Sequence, residues 1–169
     1  MLSVIITEDD AYLREKMTRI VSNYLMMEDL DGQVVLTCET GEEAIEWLKE
    51  NPQTTGIYFL DVDLGAGIDG FALASAIRKE DPLGKIIFVT SQKELAFLTF
   101  EYKIEALDYI VKTADEEEMQ KQVTYCLKLA FERQQSEQVK KGRFFQYKSD
   151  GGIKNIRMED ILFFETSVI

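Results

Sequence analysis

A chain of 169 residues, 46% hydrophobic and 30% charged, is long and apolar enough to bury the core of one domain, which excludes a disordered polypeptide. Its formal charge of -12 and lack of any histidine exclude a histidine-based triad, an imidazole metal site and a phosphohistidine of its own. The acidity is uneven, with 14 Lys+Arg against 27 Asp+Glu up to residue 140 and 5 against 4 after it, so any contact with DNA is expected in the later part.

The opening run Ser3 to Thr7 reads as a strand, cut short by Glu8, Asp9 and Asp10. It is too short for a membrane span and too acidic at its end for a signal sequence, so a cytoplasmic location is expected. A helical pattern over 11–27 leads to a second strand, QVVLTC, and a helix over 41–50. The third strand, IYFL, ends at Asp61 and is followed by a helix over 70–80. The fourth, KIIFVT, closes on Thr90 ahead of a helical pattern over 93–103. The fifth, ALDYIV, precedes Lys112 and a helix running from 115 to about 139. Five strands alternating with five helices indicate an α/β fold, a doubly wound five-stranded parallel sheet with helices on both faces.

Punctuation supports this register. Thr40 with Glu43, Ser91 with Glu94 and Thr113 with Glu116 have the spacing of capping boxes, and Asp10 is placed to cap the first helix. Asn51-Pro52 and Asp81-Pro82-Leu83-Gly84 mark returns to the next strand. Cys38 and Cys126, far apart in apolar contexts, read as reduced core residues. The polar stretch ERQQSEQVKKG reads as a boundary, giving a domain over 1–135 and a linker over 136–142. Beyond it FFQYKS, a Gly151-Gly152 turn, IKNIRM and ILFFET read as short strands, an incomplete β segment over 143–169.

In an open parallel sheet the carboxyl ends of the strands share one edge, so Glu8, Asp9, Asp61, Thr90 and Lys112 are expected to converge there. Three carboxylates suit Mg²⁺, which prefers oxygen ligands and keeps several waters; Asp9 and Asp61 can supply two, and Glu8 can act directly or through water. Crowded acids raise one another's pKa, which links cation binding to their ionisation. Asp61 is the best nucleophile, because a carboxylate can take a phosphoryl group without first losing a proton. Lys112 and Thr90 can then bind phosphoryl oxygens. Taken singly, Lys112 reads as a solvated strand-end lysine and Thr90 is uninformative; the joint arrangement carries the signal.

The motifs ITEDD, FLDVDL, FVTS and DYIVK together resemble the receiver domain of bacterial two-component response regulators, over about residues 1–135. The resemblance implies a flavodoxin-like sheet of order 2-1-3-4-5. It implies phosphorylation of Asp61 by a partner sensor histidine kinase, and Mg²⁺ held by Glu8, Asp9, Asp61 and the main-chain carbonyl of Asp63. It also implies a switch in which Thr90 moves inward, Tyr109 fills the space vacated, and the protein associates as a homodimer. Tyr109 reads equally as a half-buried strand residue. Such a protein is a phosphoacceptor with self-phosphorylation and autodephosphorylation only, not a turnover enzyme.

Within receivers, SQKELAFLTFEYKIEALDYIVK and IRMEDILFFET look like the LytTR-type regulators of Gram-positive peptide quorum sensing and bacteriocin control, which join a receiver to a β-rich DNA-binding domain. Promoter DNA is then a partner through the full-length C-terminal domain and is not expected to bind this segment; no membrane partner is expected. Thr113 stands where receivers often have proline, and the acidic pair is Glu-Asp and not Asp-Asp. Asp63 and Gln92 fall at positions that tune phosphoryl lifetime in receivers. LDVDLG also matches the DxD motif of haloacid-dehalogenase-type phosphatases, with Asp61 as nucleophile and Asp63 as general acid/base, but those enzymes start with DxD and end with the acidic pair.

Overall fold

The structure, a computed structural model, describes residues 2–52, 55–96, 98–142, 144–149 and 152–157. Strands β1 (Leu2–Thr7), β2 (Gly32–Cys38), β3 (Gly56–Leu60), β4 (Lys85–Thr90) and β5 (Asp108–Val111) alternate with helices α1 (Ala11–Met27), α2 (Gly41–Glu50), α3 (Gly70–Glu80), α4 (Leu98–Glu101) and α5 (Glu116–Gly142). All neighbouring strands pair in parallel, in the order β2-β1-β3-β4-β5. The central strands GIYFL and KIIFVT are buried at every residue, as a sheet covered on both faces requires.

Alternation along the strands divides the core. Ile5, Tyr58, Leu60, Ile86 and Phe88 pack with Ala44 and Leu48 of α2, Phe71, Leu73, Ala74 and Ile77 of α3, and Ile104. The intervening residues Val4, Ile6, Ile57, Phe59, Ile87 and Val89 are equally buried and face the other way. Met17, Val21 and Leu25 of α1 and Met119, Val123 and Leu127 of α5 are the buried stripes available to cover that face. Each such side chain contributes about 1.5–3 kcal/mol by leaving water. Cys38 and Cys126 are free and buried.

Asp10, Thr40 and Asp69 cap α1, α2 and α3 by accepting from the N–H of Leu13, Glu43 and Ala72. Two of the expected capping boxes do not form. At α5 the cap moves two residues on: Asp115 Oδ1 accepts from the N–H of Glu117 and Glu118, while the Thr113 hydroxyl takes the Asp115 N–H. After Ser91 the expected helix over 93–103 is replaced by a 3-10 turn, Lys93–Leu95, and the single turn of α4. Burial of Ile104 and left-handed backbone at Lys103 and Glu105 divert the chain into β5.

The chain forms two compact units, Met1–Ala130 and Phe131–Ile169. Helix α5 runs through 136–142. In the second unit β6 (Phe144–Ser149) and β7 (Gly152–Arg157) pair antiparallel, with Ser149 opposite Gly152. Gly151 and the run ILFFET lie outside the described residues. Among the described residues no helix is long and apolar enough to cross a membrane.

Candidate functional site

The sheet delivers its polar residues to one edge by continuing the ladder just past the strands. Asp61 N–H donates to the Thr7 carbonyl at 3.0 Å, Glu8 N–H to Cys38 at 3.1 Å and Lys112 N–H to Thr90 at 2.8 Å. These bonds fix the backbone from which each charged side chain projects. Glu8 and Asp61 are buried, at 2% and 5% exposure, and Asp9 is exposed. One carboxylate oxygen from each of the three can come within 4.8 Å of the others.

Lys112 joins two of these acids. Its Nζ lies 2.5 Å from Asp61 Oδ2 and 2.8 Å from Glu8 Oε2. One ammonium thus serves two buried carboxylates, with Asp9 adding a third negative charge. Burial pushes the Glu8 carboxyl up to about 7, Lys112 pulling it down and Asp61 pushing it further up. For Lys112, burial would lower the pKa, but the hydrogen bonds it donates to Asp61 and Glu8, with their negative charge, prevail and leave it raised. A surplus of negative charge on hard oxygens, opening toward solvent through Asp9, is chemistry suited to a divalent cation.

Thr90 ends β4 fully buried, and its hydroxyl accepts from the Gln92 N–H at 3.3 Å. Tyr109, half-buried on β5, sets its ring against Phe88 at 5.8 Å and donates its hydroxyl to the Gln92 carbonyl. Burial, then Asp61 and Glu94, raise the Tyr109 pKa. Gln92 Nε2 reaches Asp63 Oδ2 at 3.5 Å, and the Asp63 N–H donates to Asp61 Oδ1 at 3.2 Å. Gln92 therefore links Thr90, Tyr109 and Asp63, a role that its position two residues after the strand does not disclose.

Two further residues shape the site and carry weaker sequence signals. Arg14, in the first turn of α1, donates to the carbonyls of Glu8 and Asp9, the latter at 3.2 Å, and so holds the loop that carries both acids. Side chains in a first helical turn point back toward the helix start, which is the signal for Arg14. Gly70 opens α3 where a Cβ would lie 2.0 Å from the Asp61 carbonyl oxygen. A glycine directly after a capping aspartate is the signal there. Asp10 is a helix cap and lies outside the acidic cluster.

The family model for the response regulator receiver domain matches residues 4–124. The chain belongs to the response regulators. It is 38% identical over 167 residues, 98% of its own length and 69% of the relative's, to accessory gene regulator protein A of Staphylococcus aureus (strain N315). Among solved structures, the response regulatory domain of mrkE from Klebsiella pneumoniae superposes with a TM-score of 0.62 at 24% identity, covering 78% of this regulator and 99% of that chain. Response regulator TrrA from Thermotoga maritima, in complex with Mg(2+)-BeF, gives a TM-score of 0.54 at 25% identity over 75% of this chain and 99% of its own. Receiver domains bind Mg²⁺ at an acidic pocket, and in this regulator the acids gathered at the sheet edge are Glu8, Asp9 and Asp61. The protein is a two-component response regulator, and nothing supports the phosphatase alternative.

Proposed function

We propose that Asp61 accepts a phosphoryl group from a phosphohistidine on a partner sensor kinase and that the modified protein controls transcription. The observation that carries this reading is Lys112 bridging Asp61 and Glu8 at the strand edge, an ammonium 2.5 Å from the candidate nucleophile. An Asp61 carboxylate oxygen attacks phosphorus; the new P–O bond forms as the donor's P–N bond breaks, and the bonding pair stays on the imidazole nitrogen, which takes a proton. An ionised carboxylate needs no general base for this step. Lys112 transfers its hydrogen bond from the carboxylate to a phosphoryl oxygen and stabilises the charge that builds there.

Mg²⁺ fits the donor set: Glu8, Asp9 and Asp61 offer hard oxygens that can gather within 4.8 Å, and the Asp63 main-chain carbonyl is the fourth protein ligand assigned by resemblance. When bound, the cation neutralises charge shared by the acids and the phosphoryl oxygens. The Thr90 hydroxyl turns to donate its O–H to a phosphoryl oxygen, loosening its hold on the Gln92 N–H, and Tyr109 follows through the Gln92 carbonyl, reshaping the surface used for homodimer formation.

The domain reading is a receiver over 1–135, a linker over 136–142 and the start of a LytTR-like domain over 143–169. The parent function is then peptide quorum sensing or bacteriocin control through promoter DNA, in the cytoplasm. The chain acts as a phosphoacceptor and not as a turnover enzyme. Intact mass after incubation with acetyl phosphate and Mg²⁺ tests the core of this reading. A hydroxylamine-labile phosphoryl adduct is expected on the wild type and not on Asp61→Asn, whereas an equal adduct on the variant would move the acceptor elsewhere.

A further inference from the structure

The loop between β3 and α3, residues 61–69, carries Asp61 and Asp63 yet contains two glycines in left-handed backbone, Gly65 with φ 70° and Gly67 with φ 108°. Glycine there permits the turn and does little to hold it. The loop is held from outside at its far end. Gly70 N–H donates to the Val62 carbonyl at 2.9 Å. Ile68 packs over Gly41, where a Cβ would lie 2.6 Å from Ile68 Cγ1.

A further tie, also from α2, is a side-chain hydrogen bond. Glu42 Oε1 accepts from the Ile68 N–H at 3.0 Å, and the carboxylate lies so close to Gly67 that a Cβ there would meet Oε1 at 2.5 Å. Glu42 is exposed and is not one of the three acids that gather at the pocket. A first-turn glutamate interacts well with its own helix without reaching across to another segment. The reach spends side-chain freedom on one backbone N–H, and what that N–H belongs to is the loop bearing the phosphoacceptor.

We propose that Glu42 is a positioning residue for phosphoryl acceptance, latching the Ile68 backbone so that the loop from Asp61 to Asp69 is already set when cation and phosphoryl donor bind. The inference rests on the assignment of that chemistry to Asp61. With the latch, the ordering entropy of the loop is met during folding; without it, ordering accompanies every binding event and weakens apparent affinity by the fraction of loops that are set. The Ile68 N–H needs an acceptor and not a charge. Glutamine therefore keeps the latch while removing the charge, and alanine removes both.

The test is a Mg²⁺ titration of acetyl phosphate labelling, read by intact mass on the full chain as wild type, Glu42→Ala and Glu42→Gln, with thermal melts of all three. For Glu42→Ala the Mg²⁺ concentration at half-labelling is expected to rise about threefold to tenfold, the loss of one hydrogen bond, with the wild-type plateau reached at high Mg²⁺. Glu42→Gln is expected within about twofold of the wild type on the same grounds. Superimposable wild-type and Glu42→Ala curves would overturn the latch. So would Glu42→Gln following Glu42→Ala, because charge and not tethering would then be the cause. A wild type that takes no label while Glu42 variants fold normally would instead remove the Asp61 assignment beneath the inference.

Discussion

Asp61 and Asp81 are buried to nearly the same degree, 5% and 4% exposed, at opposite ends of β3, and their surroundings differ in kind. Asp81 is closed by neutral donors: the Gly56 N–H at 2.8 Å and the Tyr58 hydroxyl at 3.0 Å reach its Oδ2. Burial, then Asp81, raise the Tyr58 pKa, so the phenol stays a donor. Asp61 shares a single lysine with Glu8 and has Asp9 nearby. A buried acid completed by dipoles fastens the fold, whereas one left in a surplus of like charge is prepared for a cation or a phosphoryl group. Each also has a glycine pressed against it: a Cβ on Gly84 would lie 2.6 Å from Asp81 Oδ2, and one on Gly70 would lie 2.0 Å from the Asp61 carbonyl.

The largest effect expected from breaking this comparison is at Gly70. A methyl group in Gly70→Ala meets rigid backbone, so Asp61 must shift or α3 must move out; about 4–5 kcal/mol of stability is expected to be lost, with labelling of Asp61. Urea unfolding and intact mass would check both, and a stable, labelled variant would contradict the packing described. Next comes Asp81→Ala, which leaves two buried donors without an acceptor and is expected to cost about 3–4 kcal/mol. Because Asp81 lies at the far end of β3, the folded fraction should still accept phosphate at the wild-type Mg²⁺ midpoint. A shifted midpoint would mean that the two ends are coupled.

The contrast between these aspartates was half legible in the sequence. The apolar runs and the polar residues at their carboxyl ends were enough to place Glu8, Asp9, Asp61, Thr90 and Lys112 on one edge, because sheet topology makes that edge common to all strands. Asp81 read only as part of a turn, since its partners Gly56 and Tyr58 are 25 and 23 residues away. Residues 93–103 had helical periodicity, but Tyr102 stacks on Phe71 at 5.7 Å and Ile104 is buried, and these contacts leave α4 a single turn. The move of the α5 cap from Thr113 to Asp115 has a similar origin: both can cap, and the helix start at Glu116 selects the nearer one. Local pattern thus located the site, while the bonds that tune it, through Gln92, Arg14 and Glu42, depend on contacts across the fold.

The smallest of these effects sharpens the comparison through pH. Glu8 sits in the charge-surplus end, and burial lifts its carboxyl from an ordinary 4.5 to about 7. Between those values the folded protein keeps a proton that the unfolded chain has released, so stability from this group is full below about 4.5 and is lost as pH rises through about 7. At about 1.4 kcal/mol per pH unit the loss reaches about 3 kcal/mol at most. The urea midpoint of the wild type should therefore fall from pH 5 to pH 7.5, and that of Glu8→Gln, which cannot ionise, should fall less and end higher. At the proposed Mg²⁺ site the cation would replace the proton as the neutralising charge, so adding it at pH 7.5 should recover stability in the wild type more than in Glu8→Gln. Equal slopes in the two proteins would place the pH dependence elsewhere, and equal recovery on adding Mg²⁺ would remove Glu8 from the group of acids that the cation neutralises.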